Sequence, residues 1–332
     1  MDGTILLADK KTKAWGFALK IQDYIKKRYL TDIPLQEVEW KKFRSREIKP
    51  HAPENLRRKE VYFIEDSSLD PQYWWVRLML VKDLLLRASA GEVNFVLPNL
   101  LYSRQDRKDE PHTSISAKVL ADTLCPNLDR IITADLHSDQ IQGFYPQQCV
   151  LDSLRTFPIA VHYIQKHPIG DLSDLVIVSP DVGGVKRVKS FQKKLKVPNP
   201  FAIIDKDRPI AGEVDEDKMT LVGDVNNYNV LFVDDIVDSG NSLIAGAKLL
   251  RKKGAKQLYF YGTHGLFTLG KKDLLSTFDR LMVSNTNPLP RRALDSRIEV
   301  IDTSPLFAEA IYRAHTGKSI SELFEMDYNW DI

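Results

Sequence analysis

Val230-Leu231-Phe232-Val233-Asp234-Asp235-Ile236-Val237-Asp238-Ser239-Gly240-Asn241-Ser242 begins as an apolar run, passes through two aspartates and ends in small hydrogen-bonding residues. A helical pattern follows from Leu243 to Lys252 and stops at Gly254. The reading is a buried strand that delivers acidic groups to a loop whose free amides open a helix. Those amides and the helix dipole can hold a phosphate, with the Ser239 and Ser242 hydroxyls as further donors and Gly240 permitting close approach. Asp234 and Asp235 can accept hydrogen bonds from sugar hydroxyls or hold a hydrated divalent cation. A plain strand-to-helix turn with a serine cap would need neither the consecutive aspartates nor the other polar residues.

Outward from this stretch, similar runs recur with helix-like segments between them: Thr4 to Leu7, Glu60 to Ile64, Val93 to Val96, Arg130 to Ala134, Leu175 to Val178, Phe201 to Ile204 and Leu258 to Tyr261. That alternation predicts an α/β protein. Several runs are continuously apolar, as strands covered on both faces require, which predicts mainly parallel sheets flanked by helices. Ligands in such sheets gather at the carboxyl ends of strands. Further such ends lead from Val96 into Tyr102-Ser103-Arg104-Gln105-Asp106 and from Val178 into Pro180-Asp181-Val182-Gly183-Gly184. A boundary near Leu151, after the Tyr145-Pro146-Gln147 turn, divides the chain into domains 1–151 and 152–332, the last helix being able to pack back on the first.

Length supports that division, since 332 residues exceed what one core usually serves. Apolar content of 43% and charged content of 28% are those of a globular protein. A formal charge of +2 with no continuous basic tract argues against nucleic-acid binding. The apolar run from Leu78 to Leu86 is broken by Lys82 and Asp83 and is too short to span a membrane. Early charges at Asp9, Lys10 and Lys11 leave no signal-peptide core, and a cytoplasmic protein is expected. Cys125 and Cys149 lack CxxC spacing and read as reduced, packed thiols.

The stretch from Val230 to Ser242 resembles the phosphoribosyl-binding signature shared by type I phosphoribosyltransferases and ribose-phosphate pyrophosphokinases. Other segments resemble the second family, in its order: Ser103 to Asp109 with Ile115 to Lys118, Ile131 to Phe144, Val178 to Val188, Asp205 to Arg208, and Thr263 to Phe267. The resemblance implies two tandem type I phosphoribosyltransferase-like domains. It also implies self-association as a homodimer or hexamer, a neighbour completing the active site. The reaction implied is attack by the anomeric hydroxyl of ribose 5-phosphate on the β-phosphorus of ATP, releasing AMP. Such chemistry is largely positioning and neutralisation of charge.

Residue by residue, the resemblance makes Lys206 and Arg208 catalytic, on a segment before the stretch from Gly212 to Thr220. It makes His137 and Asp181 ligands of Mg²⁺, although a histidine is an unusual partner for so hard a cation. It assigns ATP to Phe43, Ser45, Arg46 and Glu47 of a neighbouring subunit with Arg104, Gln105 and Asp109. Phe43 can stack on adenine, Arg104 can cover the other face, and Glu47 can accept from the exocyclic amine. Ribose 5-phosphate falls to Arg208, Asp234, Asp235, Asp238, Ser239, Gly240, Asn241 and Ser242. The sequence departs from the family at Ser45, where Asn or Asp is usual. It departs again at Glu110-Pro111-His112-Thr113, where much of the family carries an arginine serving an allosteric phosphate or ADP site. Arg57 matches a family arginine near that site.

Gly317-Lys318-Ser319 resembles the end of a P-loop, but Tyr312 stands where that motif needs glycine, and the segment reads as a helix start with Ser319 and Glu322 at capping-box spacing. Trp74 and Trp75 read as packing or subunit contact. The alternatives to the synthetase are a non-catalytic regulatory subunit of its family and a phosphoribosyltransferase that consumes the product. A phosphoribosyltransferase would not need the Arg104 and His137 segments.

Overall fold

The computed structural model describes residues 1, 3–206 and 219–325. The described residues form two compact units, one within 1–155, 286–288 and 303–324, the other within 156–206, 219–285, 289–302 and 325.

The first unit contains β1 (Thr4–Ala8), α1 (Lys13–Tyr29), β2 (Leu35–Glu37), β3 (Glu39–Lys42), β4 (Ile48–His51), β5 (Glu60–Ile64), α2 (Pro71–Arg87), β6 (Glu92–Val96), α3 (Ser116–Leu124), β7 (Arg130–Ala134) and β8 (Val150–Leu154). The second contains α4 (Phe157–Lys166), β9 (Leu175–Ser179), α5 (Val185–Leu195), β10 (Ala202–Lys206), β11 (Met219–Val222), β12 (Asn229–Val237), α6 (Asn241–Lys252), β13 (Leu258–Gly265), α7 (Lys272–Thr277), β14 (Arg280–Ser284) and β15 (Ile298–Ile301). The last helix, α8 (Ser304–Thr316), belongs to the first unit.

The first sheet has the order β2-β1-β5-β6-β7-β8, and the second β11-β10-β9-β12-β13-β14-β15. All pairs are parallel except β10 with β11. Without β11, the two orders have the same topology. Apolar runs such as Val61-Tyr62-Phe63-Ile64 and Val230-Leu231-Phe232-Val233 are buried throughout because helices cover both faces. Phe63 meets Phe95 edge-on at 5.4 Å in one core, and Phe232 meets Phe278 at 5.7 Å in the other. Trp74 is fully buried, Trp75 lies edge-on to Tyr102, and both thiols are buried and unbridged. Among the described residues no helix is long and apolar enough to cross a membrane.

Several local expectations need correction. β12 and β13 continue past Val233 and Tyr261, because parallel pairing persists through Asp234↔Gly262 and Ile236↔His264 to Val237↔Gly265. The aspartates therefore lie on the strand itself. Gly317, read as part of a helix start, instead ends α8 with φ +66°, a left-handed value that favours glycine. Among the described residues only a short 3₁₀ turn follows at Ser321–Phe324, and Glu322 pairs with Arg313 at 2.8 Å instead of closing a capping box. The charged β3–β4 hairpin went unread because Glu39-Trp40-Lys41-Lys42 lacks an apolar run.

At the carboxyl ends of β1 and β5 the first unit buries an ionic cluster. Arg77 donates from Nε to Glu65 Oε2 at 2.7 Å and from Nη2 to Asp9 Oδ2 at 3.0 Å, and its guanidinium stacks 4.1 Å from the Trp40 ring centroid. Burial pushes the Glu65 carboxyl up from 4.5 to about 7, against the lowering effect of Arg77. The folded state thus holds a proton there that the unfolded chain has already lost. This contribution is full below the unfolded value of 4.5 and fades as pH rises through about 7. Between pH 5 and 8, Tm is expected to fall more steeply in the parent than in Glu65→Gln, as calorimetry would show.

Candidate functional site

The site residues of the first unit occupy three separate connections. Phe43 to Glu47 form the tip of the β3–β4 hairpin, closed by Phe43 N–H donating to Glu47 O at 2.9 Å and Arg46 N–H donating to Phe43 O at 3.0 Å. Arg46 takes φ +73° to complete the turn. The Ser45 hydroxyl donates to the Glu47 carboxylate, and Phe43 is 56% exposed, a large apolar residue at the tip. After β6, Arg104 is exposed, while Gln105 Nε2 donates to Arg107 O and Asp109 Oδ1, both at 2.9 Å. The second bond is the chief cause of a lowered Asp109 carboxyl pKa. Ala117 N–H donates to Gln105 O at 3.1 Å and ties this loop to the start of α3. After β7 the backbone turns at Asp135, with φ +37°, and presents His137 on the surface before the Ser138-capped 3₁₀ turn Asp139–Phe144.

In the second unit the structure brings predicted residues together. β9 ends at Ser179, whose hydroxyl donates to Asp181 O at 2.6 Å. Asp181 Oδ1 accepts from Gly184 N–H at 3.0 Å and caps the turn leading into α5. A Cβ on Gly184 would stand 2.5 Å from Ser179 Oγ, so the turn has room only for glycine. Beside it on the neighbouring strand lie Asp234 and Asp235. Asp234 Oδ1 accepts from Asp235 N–H at 2.9 Å and from Arg187 Nη1 at 3.1 Å, and Asp235 Oδ1 is 3.3 Å from the same nitrogen. Burial, then the Asp235 charge, pushes the Asp234 carboxyl well above its usual range, Arg187 opposing both and Asp181 adding to the rise. The sequence does not single out Arg187. No local signal marks it, because its partners lie on another strand.

The loop from Asp238 to Ser242 then opens α6. Thr268 Oγ1 donates to Asp238 Oδ1 at 2.6 Å and Thr268 N–H to Asp238 O at 3.1 Å, bracing the loop from outside. Gly240 has φ +84°, and a Cβ there would lie 2.8 Å from the Leu274 side chain. Gly240→Ala is expected to cost about 1–2 kcal/mol in backbone strain alone, readable by urea unfolding. Asn241 N–H donates to Ser239 Oγ at 3.4 Å, and Ser242 is half-buried in the first turn of α6. Lys206 ends β10, its backbone paired with Met219, while Arg208 lies outside the described residues.

Several carboxylates thus crowd the carboxyl ends of β9 and β12, next to a loop of amides and hydroxyls opening a helix. Family models match both halves of the chain: the N-terminal domain of ribose phosphate pyrophosphokinase over residues 11–126, and the phosphoribosyl synthetase-associated domain over residues 198–325. The chain is 34% identical over 311 residues to the ribose-phosphate pyrophosphokinase of Prochlorococcus marinus, covering 92% of this chain and 91% of that one. This chain belongs to the ribose-phosphate pyrophosphokinase family. Another family member, ribose-phosphate pyrophosphokinase 4 of Saccharomyces cerevisiae, is 38% identical over 298 residues and matched over 88% of each chain. The crystal structure of phosphoribosylpyrophosphate synthetase from Mycobacterium smegmatis superposes with a TM-score of 0.82 at 27% identity, covering 95% of this chain and all of that one. The fold is that of the pyrophosphokinase family, two phosphoribosyltransferase-like domains in tandem.

A metal is tested against the donors present. Asp181, Asp234 and Asp235 offer hard oxygen ligands, the kind Mg²⁺ takes. Among the described residues no group of His, Cys, Asp and Glu forms a metal-holding cluster of at least three. Mg²⁺ does not require one, since it keeps several waters and is held by one or two carboxylates together with substrate phosphates. The residues fit a hydrated, substrate-borne cation.

Proposed function

We propose that this chain is a ribose-phosphate diphosphokinase that transfers the β,γ-diphosphoryl group of ATP to the anomeric hydroxyl of ribose 5-phosphate. The products are 5-phosphoribosyl 1-pyrophosphate and AMP. The observation that carries this reading is the pairing of Asp234 and Asp235, held by Arg187, with the glycine-turned loop from Asp238 to Ser242. One element grips sugar hydroxyls and the other gives amides to a phosphate.

In this reading the anomeric hydroxyl attacks the β-phosphorus and loses its proton to solvent, the bond from that phosphorus to the α,β-bridging oxygen breaks, and AMP leaves with the electron pair. Lys206 and Arg208 neutralise the charge spread over the moving diphosphoryl group. Arg208, Asp234, Asp235, Asp238, Ser239, Gly240, Asn241 and Ser242 hold ribose 5-phosphate. His137 and Asp181 would hold Mg²⁺, which when bound neutralises the ATP phosphates. Phe43, Ser45, Arg46 and Glu47 of a neighbouring subunit, with Arg104, Gln105 and Asp109, hold the nucleotide. Domain 1–151 thereby serves the nucleotide and domain 152–332 the sugar phosphate, in a cytoplasmic homo-oligomer.

The test is AMP formation from ATP, Mg²⁺ and ribose 5-phosphate, with GTP and CTP run alongside because Ser45 replaces the longer family side chain. Folded protein that forms no AMP would favour a non-catalytic regulatory subunit. The first-domain family match argues against a phosphoribosyltransferase, which would need no such domain.

A further inference from the structure

The two units solve one electrostatic problem in two ways. Because Leu7 pairs with Phe63 and Val178 with Phe232, the acids two and three positions beyond those phenylalanines correspond: Glu65 and Asp66 in the first unit, Asp234 and Asp235 in the second. Each set crowds negative charge at the carboxyl end of a parallel sheet, and each is met by an arginine from a helix. In the first unit the arrangement is sealed. Arg77 spends Nε and Nη2 on Glu65 and Nη2 on Asp9, with side-chain exposures of 3% for Arg77, 0% for Glu65 and 6% for Asp9. Asp66 is consumed as well, its Oδ2 accepting from Lys13 N–H and its Oδ1 from Ser68 N–H, both at 2.8 Å. No acceptor atom of that set is presented for a ligand.

In the second unit the counterpart lies closer to solvent. The Arg187 side chain is 19% exposed, Asp234 16% and Asp235 8%, and Nη1 of Arg187 reaches both acids. On Asp234 the Arg187 and Asp235 N–H contacts both fall on Oδ1, so Oδ2 takes part in neither. Arg187 stands in the first turn of α5, beside the bare backbone of Gly184 and the Asp181 cap. Two adjacent carboxylates with little solvent repel each other and would swing apart or take up a proton without a fixed cation between them.

We propose that Arg187 is a positioning residue for ribose 5-phosphate, fixing the Asp234 and Asp235 carboxylates so that Asp234 Oδ2 faces the sugar hydroxyls. This rests on the sugar-binding reading of those two acids. Arg187 touches the acids and acts on the substrate through them. A lysine keeps the charge but has one ammonium in place of the planar fork, so it holds the pair less well.

The test compares Arg187→Gln, Arg187→Lys, Asp234→Asn and the Arg187→Gln/Asp234→Asn double variant in steady-state AMP formation. Arg187→Gln is expected to raise KM for ribose 5-phosphate about 10–100-fold and to change KM for ATP less than about twofold, with Arg187→Lys recovering part of the loss. The double variant should be little worse than Asp234→Asn alone, as coupled neighbours behave. A merely structural arginine would lower Tm and leave the ratio of the two KM values unmoved. If Arg187→Gln does not fold, Arg187→Lys is read by the same ratio. An unchanged KM for ribose 5-phosphate in the arginine variants, with a raised one in Asp234→Asn, overturns this proposal and leaves the sugar site standing. No change in Asp234→Asn would remove the sugar site and the proposal together. A loss confined to KM for ATP or to kcat would place Arg187 on the diphosphate and also overturn it.

Discussion

Lys206→Ala is expected to lower kcat by about 10²–10³-fold with little change in KM for ribose 5-phosphate. Diphosphoryl transfer gives the protein little covalent work, and most of the barrier is charge on the moving group. A cation that meets that charge chiefly in the transition state affects turnover and not ground-state binding. The placement of Lys206 supports this use. Ile203 on β10 pairs with Ser179 at the end of β9, and the strand continues to Lys206, beyond the level at which the Asp181 turn begins. Rapid-quench measurement of AMP formation separates chemistry from release. Near-parental turnover would take Lys206 off the catalytic list.

The second large effect belongs to Asp234→Asn, for which KM for ribose 5-phosphate is expected to rise about 10–100-fold, as loss of a charge-assisted acceptor implies. The substitution keeps the shape of the side chain but turns one oxygen into a donor. That donor faces either the Arg187 guanidinium, which can only donate, or a sugar hydroxyl, which must reverse its hydrogen bond to accept. Isothermal titration with ribose 5-phosphate would check the loss without turnover, and unchanged affinity would refute the assignment. Repulsion from Asp235 also disappears in this variant, so the folded protein should not lose stability in proportion.

The residues that show in the sequence are those whose chemistry is local. Continuous apolar runs announced the buried strands, because a strand covered on both faces has no polar side to show. The Asp234-to-Ser242 stretch announced itself through consecutive acids followed by a glycine and hydroxyls. Strand ends were harder. Nothing in Asp234-Asp235-Ile236-Val237 says that β13 keeps pairing alongside, so the run was stopped too early. Arg77 and Arg187 were unreadable for the same reason: an arginine on a helix looks solvated until the fold sets it against acids from other strands. The β3–β4 hairpin was missed because its residues are charged and its partner strand is only as long as itself. The turn at Gly317 shows the opposite error, a local pattern credited with a start when its left-handed backbone makes a stop.

Among the described residues the hairpin pairs with no other strand, and its five-residue tip closes on its own hydrogen bonds. Under the proposed nucleotide role, evolution can therefore rewrite the tip as a cassette while the core beneath remains untouched. In that role a change at Ser45 would alter donor preference without renegotiating the architecture.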